Sequence, residues 1–179
     1  MSDNTETTPT FNTAAGQTIA REMLIVYLNT GNATTPVWSP IGKRVTDSAA
    51  EYDWAGESAK DILGITNTSM KKPIITQTFD PVPLDAGDAA STKIWELAVR
   101  DQDADALCGL DMLIVHLYAG TASTAMFAER YSSCAVNVSS IGGAGGGSVD
   151  MPFSVTYGGT RTVGTAAISS GTVTFTAST

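Results

Sequence analysis

The sequence predicts a mainly β protein, a β-sandwich or partial barrel with one flanking α-helix. Three observations lead there. Short runs rich in Val, Ile, Thr and aromatic residues recur along the chain, separated by Gly, Pro and Asn turns. Only one stretch, about 85–103, repeats its apolar residues at helical spacing. Between 141 and 179 the only charged side chains are Asp150 and Arg161, on a background of Gly, Ser, Thr and apolar residues. Strands in succession with a single helix between them give a two-layer β architecture.

Each element follows from its residues. Positions 1–17 are Thr-, Asn- and Gly-rich with little to bury and read as a flexible arm, leaving 18–179 as one domain. Residues 21–30 form a strand built on Met23, Leu24, Ile25, Val26, Tyr27 and Leu28 and ended by Gly31-Asn32. Residues 36–46 form a second, bent where Pro40 and Gly42 interrupt it. The stretch 47–60 is charged and loop-like, with Asp47, Glu51, Asp53 and Glu57, yet it carries Tyr52 and Trp54. Strands at 61–68 and 73–79 flank a turn near Met70-Lys71-Lys72.

The helix then begins at Asp85 or Asp88, whose carboxylate suits free amides and the positive end of the helix dipole. Ile94, Leu97 and Ala98 repeat at i, i+3, i+4, with Trp95 widening the buried stripe. A strand pair at 112–118 and 125–138 turns at Gly120. A glycine-rich connection, 141–148, leads into 149–157. There Val149, Met151, Phe153, Val155 and Tyr157 alternate with Asp150, Pro152, Ser154 and Thr156, the period of a strand with one buried face. Two Thr-rich strands, 160–168 and 172–176, close the chain. Soluble strands usually guard an open edge with charge. Here that guard is missing, so neighbours are expected to cover the C-terminal strands.

Composition excludes several functions. At 179 residues the chain can bury a full core as one domain. Its net charge is −8, and its ten basic residues are scattered, so it offers no patch for duplex DNA. Cys108 and Cys134 are too few for a disulfide framework. The polar, acidic N-terminus is the opposite of a signal peptide, and the longest apolar run, 23–28, is far too short to span a bilayer. The sequons at Asn32, Asn67 and Asn137 are what chance gives in a Ser/Thr-rich chain. A soluble protein of a reducing cytoplasm is expected, with no membrane association.

No residue set announces chemistry. His116, the single histidine, lies in an apolar strand without a nucleophile elbow and reads as structural. Asp101, Asp103 and Asp105 open like a calcium loop, but Ala106 stands where the turn glycine belongs and Met112 where the bidentate Glu belongs. The run 142–148 has no Lys of a phosphate loop and no helix after it. No catalytic residue, cofactor or metal is expected. Tyr52 and Trp54 either fold back on the core or anchor a protein contact.

Three stretches make the chain resemble the major tail tube proteins of long-tailed, siphovirus-like bacteriophages. The first runs from Trp38-Ser-Pro-Ile-Gly-Lys-Arg-Val45 through Glu51-Tyr-Asp-Trp54 to Asp61-Ile-Leu-Gly64. The second is Lys72-Pro-Ile-Ile-Thr-Gln-Thr-Phe-Asp-Pro-Val-Pro-Leu84, and the third is the glycine hinge with the strand and Gly/Thr-rich close after it. The resemblance implies a virion structural protein, assembled in the host cytoplasm into hexameric rings that stack into a tube. DNA would pass its lumen without specific binding, and tape measure, tail terminator and tail-tip proteins would be its partners. It implies that 47–60 reaches the adjacent ring, with contacts centred on Asp47, Glu51, Tyr52, Asp53 and Trp54. Arm 1–17 is a second candidate for such contacts. Val149, Met151, Phe153, Ser154, Val155 and Thr156 are expected to supply an inter-subunit strand.

Two alternatives stay open at this point. One is a monomeric β-sandwich module for carbohydrate binding or adhesion, with Trp38, Tyr52 and Trp54 as its platform. The other is a different virion part, a capsid decoration or tail completion protein.

Overall fold

A computed structural model describes residues 10–178. Strands β1 (Leu24–Asn29), β2 (Trp38–Ile41), β7 (Leu110–Thr121), β8 (Ala125–Val138), β10 (Arg161–Ser169) and β11 (Thr172–Ala177) form one antiparallel layer in the order β2-β1-β7-β8-β10-β11. A second layer has the order β8-β9-β6-β3, from β3 (Ala50–Asp53), β6 (Ile74–Phe79) and β9 (Phe153–Tyr157). β8 serves both layers because it is 14 residues long. Its residues 126–131 pair with β10, and its residues 135–138 pair with β9. β4 (Glu57–Lys60) and β5 (Thr66–Ser69) pair only with each other.

Two cores result. Val26, Leu28, Met112, Ile114, Phe79, Phe153 and Val155 fill the space between the layers. Tyr27, Trp38, Leu113, Val115, Met126, Ala128, Ala166 and Val173 fill a second core on the other face of the first layer. That layer curls until β11 approaches β2, which makes it a partial barrel. β7 is therefore buried on both faces, which explains why 112–115 reads as a continuous apolar run without alternation. The mainly β sandwich with a helix beside it stands as the sequence predicts.

The helical region is shorter and broken. Asp88 caps α1 (Ala89–Trp95), its Oδ1 accepting from the amides of Ala90 at 3.1 Å and Ser91 at 3.4 Å. Asp85 instead accepts from the Gly87 amide at 2.9 Å, an Asx turn that holds 85–87 outside the helix. α1 continues as one π-helical turn, Glu96–Arg100, and Gln102 at φ 51° ends it. Asp103 then caps α2 (Ala104–Leu107), its Oδ1 accepting the Ala106 amide at 2.9 Å. A continuous helix over 85–103 is thus corrected by side-chain caps that compete with helical hydrogen bonds.

The expected N-terminal arm falls partly outside the described residues, at 1–9. Positions 10–12 are not free. The Asn12 amide donates to the Tyr118 carbonyl at 2.9 Å, Gly120 donates to Thr10, and Phe11 meets Tyr118 edge-on at 5.5 Å.

Candidate functional site

The feature that stands away from both cores is the ribbon between β3 and β6. Every residue from 51 to 72 is exposed. β3 pairs with β6, Trp54 accepts a hydrogen bond from the Lys71 amide at 3.0 Å, and β4 pairs with β5 beyond them. Fully extended, the chain from Trp54 to Ile62 would span about 25 Å, but Ala55 at φ 42° breaks it between β3 and β4.

The arm's tip is a built turn. The Asp61 Oδ1 accepts from the amides of Leu63 and Ile65, both at 2.9 Å, and Gly64 takes a φ of 80° that favours glycine. The turn turns Ile62, Leu63 and Ile65 outward, at 103, 79 and 57 % exposure. The large apolar side chains that stand exposed among the described residues are concentrated here. Tyr52, Trp54, Ile62, Leu63, Ile65 and Met70 lie on the arm and Ile74 just beyond it, against Phe11, Ile19, Val37, Ile141 and Val149 elsewhere.

The inter-ring residues read from the sequence sit at the root and shaft of this arm. Asp47 bridges Asp80 where the ribbon leaves the sandwich. Glu51 and Asp53 lie opposite Thr76 and Ile74, on the outer face, while Tyr52 lies opposite Ile75, on the core side. Tyr52 and Trp54 share that face and stack with centroids 6.4 Å apart. Both turn toward the core side yet remain half exposed. Sequence reasoning missed Ile62, Leu63 and Ile65, because it placed 61–68 in an ordinary strand. The signal was present in Asp61-x-x-Gly64, an Asx turn followed by a glycine.

Beside the arm's root lies a polar cluster. Glu129 is 7 % exposed, and its carboxylate accepts from His116 Nε2 at 3.1 Å, Tyr131 Oη at 2.9 Å and Arg161 Nε at 2.7 Å. Burial alone would raise this carboxyl, but the bonds from His116, Arg161 and Tyr131 outweigh it and hold it at about 2. His116 Nδ1 is left to take the Tyr118 hydroxyl at 2.7 Å. Both ring nitrogens are therefore occupied by structural partners. Burial, then the nearby Glu129 and Tyr118, raise the Tyr52 phenol.

The other sequence candidates separate. Asp101 chelates Arg100 at 2.8 Å while Asp103 caps α2, so these carboxylates do different work. The glycine run is an exposed connection whose Gly142 exchanges backbone bonds with Asp150. Trp38 is 6 % exposed, under Arg130 at 5.7 Å, which removes it from any ligand platform.

The C-terminal segment also needs correction. β9 pairs with β6 on one side and β8 on the other, so its backbone has no free edge for a neighbour. Met151, Phe153 and Val155 point into the core, Val149 lies exposed ahead of the strand, and Ser154 and Thr156 are on the outer face. The free edge belongs to β11, which pairs only with β10 and carries Thr172, Thr174 and Thr176 outward without a charge.

A groove of about 660 Å³ opens at the arm's root. Leu24, Val26, Ile41, Val45 and Phe79 line it, with Arg21, Glu22, Asp47 and the start of α1 at its rim.

No family model matches the chain, and no curated protein is similar to it in sequence. Solved structures are similar. The anti-feeding prophage cap, which terminates a tube, aligns with a TM-score of 0.50 at 14 % identity over 87 % of this chain and 96 % of its own. The sheath/tube terminator of the PVC extracellular contractile injection system, in its extended state, aligns at 0.51 and 11 % identity over 84 % and 99 %. The chain shares its fold with tube terminators. At these identities the likeness is one of fold alone.

Proposed function

We propose that the chain is a non-enzymatic structural subunit of a phage-tail-like tube, found in the virion tail. Copies associate side by side through the uncharged C-terminal strands and stack ring on ring through the 51–72 arm. The observation that carries this reading is the arm itself. An isolated two-stranded hairpin is marginally stable in water, and this one exposes Ile62, Leu63, Ile65 and Met70 beyond the sandwich. Such an element is completed by a partner that covers it. Its contacts run from Asp47, Glu51, Tyr52, Asp53 and Trp54 at the root and shaft to the tip. Hexameric rings with a lumen for DNA, and contacts with tape measure, terminator and tip proteins, complete the proposal. The net charge of −8 suits a conduit that must not hold phosphate.

A second reading is a tube terminator or tail completion protein. The fold shared with a tube-terminating cap and a sheath/tube terminator favours it. In that case the arm grips the last ring of a tube built from another protein.

Replacing 56–70 by an Asn-Gly turn leaves Trp54 and Lys71 to close the ribbon and should give a folded protein that builds no long tubes. Negative-stain microscopy of wild type and variant reads the outcome. Hollow rods from the wild type alone support the tube subunit, and single rings that bind only tube ends support the terminator. Rods of normal length from the shortened variant would remove the arm from assembly.

A further inference from the structure

We propose that Lys93 and Asn29 join in an internal isopeptide bond, formed by the folded chain itself with release of ammonia. Lys93, on α1, donates to the backbone carbonyl of Asn29, at the end of β1, at 2.7 Å. Two carbons separate that carbonyl from the side-chain carboxamide of the same residue, so rotation about the flexible lysine stem carries the amine from one to the other. Asn29 is 4 % exposed, and its carboxamide is held at both polar atoms. The amides of Gly31 and Val37 each donate to its Oδ1 at 3.0 Å. Its Nδ2 donates to Asp111 Oδ2 and to the Asn32 carbonyl, both at 3.1 Å. Arg130 in turn fixes the Asp111 carboxylate, Nε donating at 2.9 Å and Nη2 at 2.7 Å.

These contacts meet the needs of an amide exchange. The amides of Gly31 and Val37 lie where negative charge gathers on Oδ1 when Asn29 Cγ becomes tetrahedral, which makes them an oxyanion hole. Lys93 makes no ion pair among the described residues. Burial pushes its amine below the ordinary lysine range, although Asp111 pulls it back. The neutral amine is the nucleophile such a step requires. Lys93 Nζ attacks Asn29 Cγ, and Asp111 takes the proton that Nζ sheds and passes it to Nδ2. The Nζ–Cγ bond forms, the Cγ–Nδ2 bond breaks, and Nδ2 leaves as ammonia, with no oxidant or other reactant. Asn29, Lys93, Asp111 and Arg130 line one cavity of about 280 Å³, which gives the ammonia a way out. The bond ties α1 to the end of β1, 64 residues apart in the chain, whatever the chain assembles into.

Mass spectrometry of the full-length chain, folded first and then denatured, tests the bond. Wild type should be lighter than its sequence by one ammonia. Trypsin should release residues 22–43 joined to residues 72–100 through an uncut Lys93. Lys93→Arg should keep the full mass, and so should Asp111→Asn once circular dichroism shows it folded. A folded wild-type chain at its full mass overturns the bond. An ammonia lost while trypsin still cuts after Lys93 also overturns it, since that loss is a succinimide at an asparagine. Cross-linking of Asp111→Asn to the wild-type extent overturns the proton transfer through Asp111.

Discussion

Glu129→Gln tests the polar cluster at the arm's root. Glu129 accepts bonds from three donors on three strands, His116, Tyr131 and Arg161, and its side chain is 10 % exposed. Glutamine keeps the shape but offers a single acceptor oxygen and turns its amide toward a donor. The wild-type carboxyl is held at about 2 against an ordinary 4.5, which corresponds to roughly 3 kcal/mol of stability at neutral pH. The folded value lies below the unfolded one. The stabilisation is therefore complete above about pH 5, falls to roughly half near pH 3 and is nearly gone by about pH 2. Urea unfolding of both proteins at pH 7 and pH 3 measures the difference at each pH. The gap between them should be about 3 kcal/mol at pH 7 and about half that at pH 3. A gap that is equal at the two pH values, or below about 1 kcal/mol at pH 7, refutes the assignment of this stability to the buried charge.

Two further outcomes follow from particular residues. Asp88→Ala removes the cap of α1 and the bond to the Ser91 hydroxyl at 2.7 Å, so urea unfolding should show a loss of about 1–2 kcal/mol, most of it restored in Asp88→Asn. Thr174→Lys and Thr176→Lys place charge on the free edge of β11 and should change stability by less than about 0.5 kcal/mol while lowering tube or ring yield in microscopy. Ser154→Lys and Thr156→Lys, on a strand paired at both edges, should matter less. If the β9 lysines block assembly and the β11 lysines do not, the edge assignment is wrong.

Much of the fold is legible in the residues. The turn at Gly120 paired β7 with β8, Thr-rich runs located β10 and β11, and Asp85 or Asp88 marked the start of the helix, because these signals are local: turn glycines, strand-forming composition and a carboxylate beside free amides. The candidate site was legible only in part. Tyr52, Trp54 and the charged neighbours of 47–60 pointed to an exposed element, but 61–68 looked like one more strand. Ile62, Leu63 and Ile65 are apolar, and apolar residues in a strand-like window ordinarily mean a core. Only their position beyond the end of the sandwich shows that no core is within reach.

The C-terminal segment divides the same way. Its want of charge is a property of composition and needs no coordinates to be seen. Which of its strands keeps an open edge is a property of pairing order, since β9 is inserted between β6 and β8 while β11 is last in its layer. The sequence by itself determined a mainly β fold, its capped helix and a net charge of −8. Tertiary structure alone decided that 51–72 leaves the sandwich as an arm, that Trp38 is buried, and that a groove opens at the arm's root. Those outcomes depend on contacts between residues far apart in the chain, which no local pattern encodes.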